Sequence, residues 1–246
     1  MHSEDFIKLD KIASSYFIKA DILFSTIHFT NVAISHASPG LNQPLFDAFM
    51  KLRDISDKQT PFVSDDGSHY DFVTKHMPSL CFSSLVSAFE DFIVEVSSLI
   101  LRREPQRLSS VKCEYGLYSS MNADGLMDYL IAEKISSLTF GSAREYINKL
   151  CKLLNIQKKE IEHLIKPYIE MKARRDVGVH NNWMKDSRYQ RRISELNIPD
   201  TGEEYLKPNL SYFSCTHNIC GELVKVICNS VSVSVLNEDK LFQDVE

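Results

Sequence analysis

The segment Lys172-Ala173-Arg174-Arg175-Asp176-Val177-Gly178-Val179-His180-Asn181-Asn182-Trp183 gathers two arginines, a carboxylate, a histidine and two amides at the end of a predicted helix. An imidazole moves protons near neutral pH, its ordinary pKa being about 6.5. A guanidinium offers a planar fork to phosphate oxygens. Asp176 and His180 stand four apart on one helical face, so the spacing predicts a carboxylate that holds one imidazole nitrogen and fixes its tautomer. Arg175 and His180 stand five apart, about 140° around an ideal helix, and point apart unless the helix distorts. Gly178 makes such distortion easier. Groups of this kind can bind a phosphodiester and move a proton.

The surroundings of the segment are basic. Between Lys158 and Arg192 ten Lys/Arg stand against five Asp/Glu, a net of +5 in a chain whose formal charge is −5. A polyanion site needs such a region, although an ordinary solvated helix face reads the same way. Each residue also has a plain structural reading. His180 would sit well against the C-terminal helix dipole. Arg175 would pair with Glu90 or Asp176, Asn181-Asn182 would end the helix, and Trp183 would pack.

The elements that must position these groups read as helices. Apolar residues from Phe6 to Val32 recur at helical spacing and predict one long helix over 4–35, stopped by Ser38-Pro39-Gly40. A shorter piece follows Pro44, with Leu45, Phe46, Phe49, Met50 and Leu52 as its stripe, and 57–68 reads as a loop. A long helix is expected from Tyr70 to Arg103, with Pro78 marking a kink or its first turn. Glu90 and Asp91 interrupt the most hydrophobic part of that helix. A buried Glu90 needs a partner, and Arg175 would be one. An irregular stretch from Pro105 to Ala123 leads to helices over 124–138 and 143–154, the second capped by Gly141-Ser142. The helix carrying the segment starts near Lys158 and contains Pro167. Residues 184–208 read as a loop with a short helix. The last element, 217–236, carries both a strand-like Val231, Val233, Val235 alternation and a helical stripe, and helix is the reading taken.

Composition bounds the class. At 246 residues, with 43% hydrophobic and 25% charged residues, the chain is large enough to bury a core and reads as an ordinary soluble protein. The cysteines at 81, 113, 151, 215, 220 and 228 form no pair with zinc spacing and read as small buried residues in a reducing cytoplasm. No apolar run reads as long enough to span a bilayer, and no signal-peptide core opens the chain.

Arg175, four intervening residues and His180, with polar Asp176 directly after the arginine, resemble the signature of the HEPN superfamily (higher eukaryotes and prokaryotes nucleotide-binding domain), in its bacterial ribonuclease and phage-defence branch. The preceding long helix, Val-His-Asn-Asn after the motif, Tyr189, and the turn Thr201-Gly202-Glu203-Glu204 before a last helix extend the likeness over residues 69–236. Arg174 also fits the family's looser spacing. The resemblance implies an all-α, HEPN-like helical bundle over 69–246, and the helical spacing before it reads 1–68 as an added N-terminal helical hairpin. It implies a metal-independent, cofactor-free endoribonuclease acting as a homodimer with two motifs in one cleft. His180, Arg175 and Asp176 would be catalytic, with Glu90, Asn181 and Arg174 in support. Lys172, Lys185, Arg188 and Arg191 would bind RNA, such as tRNA or mRNA. A regulatory partner protein would fit a toxin. Asn182 stands where toxins paired with nucleotidyltransferase antitoxins have tyrosine, which argues against that pairing. The alternative is a HEPN scaffold without catalysis that dimerises and binds RNA, nucleotides or a protein.

Overall fold

The computed structural model describes residues 3–36, 76–139 and 142–242. They form α1 (Glu4–His36), α2 (Met77–Arg103), α3 (Tyr115–Ser120), α4 (Ala123–Thr139), α5 (Ala143–Leu154), α6 (Lys158–Asn181), α7 (Ser187–Glu195) and α8 (Leu210–Val231). The fold is all-α, and among the described residues the only strand-like pairing is an isolated bridge between Met184 and Tyr205. The expected helix after Pro44 and the loop over 57–68 lie outside the described residues.

Helix α2 is the centre of the bundle because its apolar residues cover most of its circumference. Phe82, Leu85, Val86, Phe89, Phe92, Val96 and Ile100 are all buried. α1 lies antiparallel to it: Asp5 pairs with Arg103 at 2.9 Å, and the Tyr16 ring stands 6.1 Å from Phe89 and 5.8 Å from Phe92. α6 enters the same core through Tyr168, whose ring is 4.6 Å from Phe89. Residues of α1, α2, α5, α6 and α8 thus share one buried cluster. A smaller cluster joins Leu101 to Ile131, Leu138 and Leu153. A third, made of Ala173, Val177, Tyr189, Ile193 and Leu206, fastens α7 to α6.

Local signals explain the boundaries. Pro78 lies in the first turn of α2, where its missing N–H costs nothing. Ser142 and Glu145 form a capping box, with Glu145 N donating to Ser142 Oγ at 3.2 Å and Ser142 N donating to Glu145 Oε2 at 3.0 Å. Pro167 sits inside α6 without ending it. Residues 105–123 are less irregular than expected, because Pro105–Leu108 makes a 3-10 turn and α3 follows. α8 begins before the expected His217 because Asn209 Oδ1 accepts from Tyr212 N at 2.8 Å and caps it. Its end is helical too. Val231 and Val235, four apart, are buried while Val233 is exposed, and the chain leaves through a π-helical turn, Ser232–Leu236.

Two expectations change. Leu210–Leu236 does have the length and mean hydropathy, 1.6, of a membrane-crossing helix, although half of that window is buried in the fold. Phe213, Leu223, Val224 and Ile227 on it are core residues. The cysteines are all free, but Cys215 is exposed and Cys113 half-buried, since neither points at the core.

Candidate functional site

Helix α6 is unbroken through the motif, so Arg175 and His180 keep the separation of a regular helix and open on different surfaces. Gly178 does not distort the helix. It seats Trp183, for a Cβ at Gly178 would lie 2.5 Å from Trp183 Cη2. The chain reaches that position through two left-handed residues, Asn182 (φ 48°) and Trp183 (φ 67°). Trp183 N donates to Val177 O at 3.3 Å, and its ring stands 6.1 Å from that of Phe82. Leu206 N donates to Trp183 O at 2.8 Å and Lys185 N to Glu204 O at 2.9 Å, so the end of α6 is tied to the segment before α8.

Arg175 faces α2. Its Nη2 donates to Glu90, which also accepts from Lys172 Nζ. Asp176 Oδ1 lies 3.4 Å from Arg175 Nε, a buried atom with no hydrogen bond. The expected Asp176–His180 hydrogen bond is absent: the carboxylate stays with Arg175, and His180 is exposed without a partner among the described residues. The Asn181 amide donates to Met184 O at 2.7 Å and stabilises the turn rather than the imidazole.

His180 borders a cleft of about 300 Å³ between α6 and α7, whose charged lining includes Lys172, Asp176, Arg188, Arg191 and Arg192. Asp186, also there, caps α7 by accepting from Tyr189 N at 2.8 Å. Burial pushes the Lys172 ammonium below its ordinary value, partly offset by Asp176. Its Nζ donates to Glu90, which binds Lys172 and Arg175 together. Lys185 lies elsewhere, held by Asp200 at 3.0 Å.

Arg174 is turned into the protein. Its Nε donates to Glu170 at 2.9 Å, its Nη1 to Leu206 O at 3.2 Å, and its guanidinium lies 4.2 Å from the Tyr212 ring centroid. Burial opposes the charge of Arg174, but Tyr212 and Glu170 more than offset it and hold the guanidinium protonated. Glu170 also accepts from Tyr189 Oη at 2.6 Å and from Tyr212 Oη. Burial, reinforced by Glu170, pushes both phenols well up.

Sequence reasoning missed this network and Arg192. The Glu170/Arg174 spacing of four was visible, as was the Arg188, Arg191, Arg192 stripe on one helical face. The tyrosines carried no local signal. No family model, curated protein or solved structure matches the chain.

Proposed function

We propose that this chain is a metal-independent endoribonuclease that cleaves RNA through attack of the ribose 2′-hydroxyl. The supporting observation is His180, without a partner, at a cleft where Lys172, Arg188, Arg191 and Arg192 offer positive charge to a phosphodiester backbone. The 2′-oxygen bonds to phosphorus while the bond from phosphorus to the 5′-oxygen breaks. One proton leaves the 2′-hydroxyl and one reaches the departing oxygen, and an imidazole can serve at either step. Arg175 stabilises the charge on the phosphorane oxygens. It opens on another groove, so the reading includes a homodimer in which two copies of the motif contribute. The products are 2′,3′-cyclic phosphate and 5′-hydroxyl ends, and DNA is spared because it lacks the nucleophile. A cytoplasmic toxin or defence role, and any regulatory partner, follow from the HEPN resemblance alone.

Purified protein incubated with total RNA in excess EDTA tests this. Wild type cuts RNA and leaves cyclic phosphate, while folded His180→Ala and Arg175→Ala variants do not. Absence of cleavage by the wild type sinks the reading. A second reading, a HEPN-like scaffold that binds RNA without cutting it, draws on Arg175 being tied to Glu90 and Asp176. Retention of RNA by an inactive wild type would select it.

A further inference from the structure

We propose that Lys172 is the general acid of the reaction, giving its ammonium proton to the departing 5′-oxygen while His180 takes the proton of the 2′-hydroxyl. This role rests on the ribonuclease reading, in which two protons move while the cleft is lined by a single imidazole. Lys172 and His180 stand eight residues apart on α6, about 12 Å along the axis of a regular helix. Both line the same cleft of about 300 Å³. A lysine and an imidazole entering it from two turns apart can bracket one phosphodiester, one on each side of the phosphorus.

The other polar groups of the cleft are occupied or unsuited. Arg188, Arg191 and Arg192 hold their protons at any ordinary pH. Tyr189 Oη donates to Glu170 at 2.6 Å, and burial pushes the phenol up. Asp186 accepts from Tyr189 N at 2.8 Å as the cap of α7, and Asp176 lies 3.4 Å from Arg175 Nε.

Lys172 has what a donor needs. Glu90 accepts from its Nζ on the α2 side, which fixes the long side chain. An ammonium carries three N–H groups, so two remain for substrate. Burial weakens its hold on the proton; Asp176 opposes this, and Arg175 and Arg192 reinforce it. A donor brought closer to the working pH transfers its proton more readily. The 2′-oxygen, losing its proton to His180, bonds to phosphorus. The bond from phosphorus to the 5′-oxygen breaks, and the electron pair left on that oxygen takes the Lys172 proton. The imidazolium and the neutral amine then exchange protons with water and return to their starting forms. Both transfers are thus made by one protomer.

Two RNA substrates that differ only in the leaving atom, a natural 5′-oxygen or a 5′-bridging sulfur, test this. A thiol has an ordinary pKa of about 8.5, so a sulfur leaving group departs without a general acid. Single-turnover cleavage by the full chain in EDTA is compared for wild type, Lys172→Ala and Lys172→Arg, each shown to be folded by circular dichroism. Arginine keeps a positive charge beside Glu90 but cannot donate its proton. On the oxygen substrate both variants should lose about 10²–10⁴-fold in rate. On the sulfur substrate both should approach wild type, whereas His180→Ala should fail on both. The wild-type rate on oxygen should fall at alkaline pH as Lys172 loses its proton, and that limb should vanish on sulfur. A Lys172→Arg protein that cuts the oxygen substrate as fast as wild type overturns the proposal. So do variants equally slow on both substrates, since their defect is in binding or positioning. In either case wild type still cuts and the ribonuclease reading stands. A wild type that cuts neither substrate removes that reading and this role with it.

Discussion

Arg174 and Arg175 are neighbours with opposite surroundings, and only the surroundings separate their roles. Arg174, 6% exposed, is enclosed by Glu170, Tyr189, Tyr212 and the Leu206 carbonyl. Removing one member of a buried charge pair leaves the other uncompensated and costs about 3–5 kcal/mol. Arg174→Ala should therefore lower unfolding free energy by about 3 kcal/mol in urea titrations, at the lower end because two tyrosines still donate to Glu170. Arg175→Ala should cost less, since Glu90 keeps Lys172 as a partner. If Arg175→Ala proves the more destabilising, the enclosed network is not the stronger one. The same network predicts a pH response. Tyr189 and Tyr212 have folded pKa values raised above the ordinary 10.0 by burial and by Glu170. Their contribution is complete below the unfolded value and is lost as pH rises above about 10 toward the folded values. Wild-type stability should fall from pH 9 to about 11, and Tyr212→Phe should flatten that fall. An unchanged slope would mean that Tyr212 is not the group resisting ionisation.

At the scale of elements, most of the frame was legible and the ends of α6 show why. The bounds of α5 and the start of α6 follow from a capping box and an Asn155 turn that local chemistry announces. The far end of α6 does not. Gly178 reads in sequence as a point of weakness, whereas its place in the fold is a seat for an indole five residues on, a tertiary fact with no local mark. Helix propensity alone says Gly178→Ala should stabilise by about 1 kcal/mol. The clash at 2.5 Å from Trp183 says the reverse, since overpacking costs about 1–3 kcal/mol. Rigid neighbours decide it: the indole also rests on Phe82 and is fixed by the turn after α6. The variant should lose stability, and fluorescence of the single tryptophan should shift to the red as the ring is displaced toward solvent. A more stable variant with unchanged fluorescence would show that the ring yields easily.

At the scale of the molecule, an all-α fold was readable from helical periodicity, while the division of labour across α6 was not. A segment written as one motif presents Arg175 to α2 and His180 to α7, because a straight helix cannot turn residues five apart to one side. Charge follows the same division. The chain is acidic overall, at −5, yet the α6/α7 cleft concentrates Lys172, Arg188, Arg191 and Arg192. On the proposed ribonuclease reading, RNA attraction should therefore be local, and its salt dependence should count the phosphates held in that cleft rather than follow the net charge. Each phosphate contact on a single strand contributes about −0.7 to the slope of log affinity against log salt. Arg188→Ala with Arg192→Ala should make the slope shallower by about 1.4 and weaken binding alike across RNA sequences, since backbone contacts carry no base readout. Lys185→Ala, outside the cleft and bound to Asp200, should leave the slope unchanged. Filter binding at several salt concentrations, in a His180→Ala background that the proposed mechanism leaves unable to cut, measures all three. If Lys185→Ala moves the slope as much as the double variant, RNA runs across the 185–200 surface and the cleft is not its track.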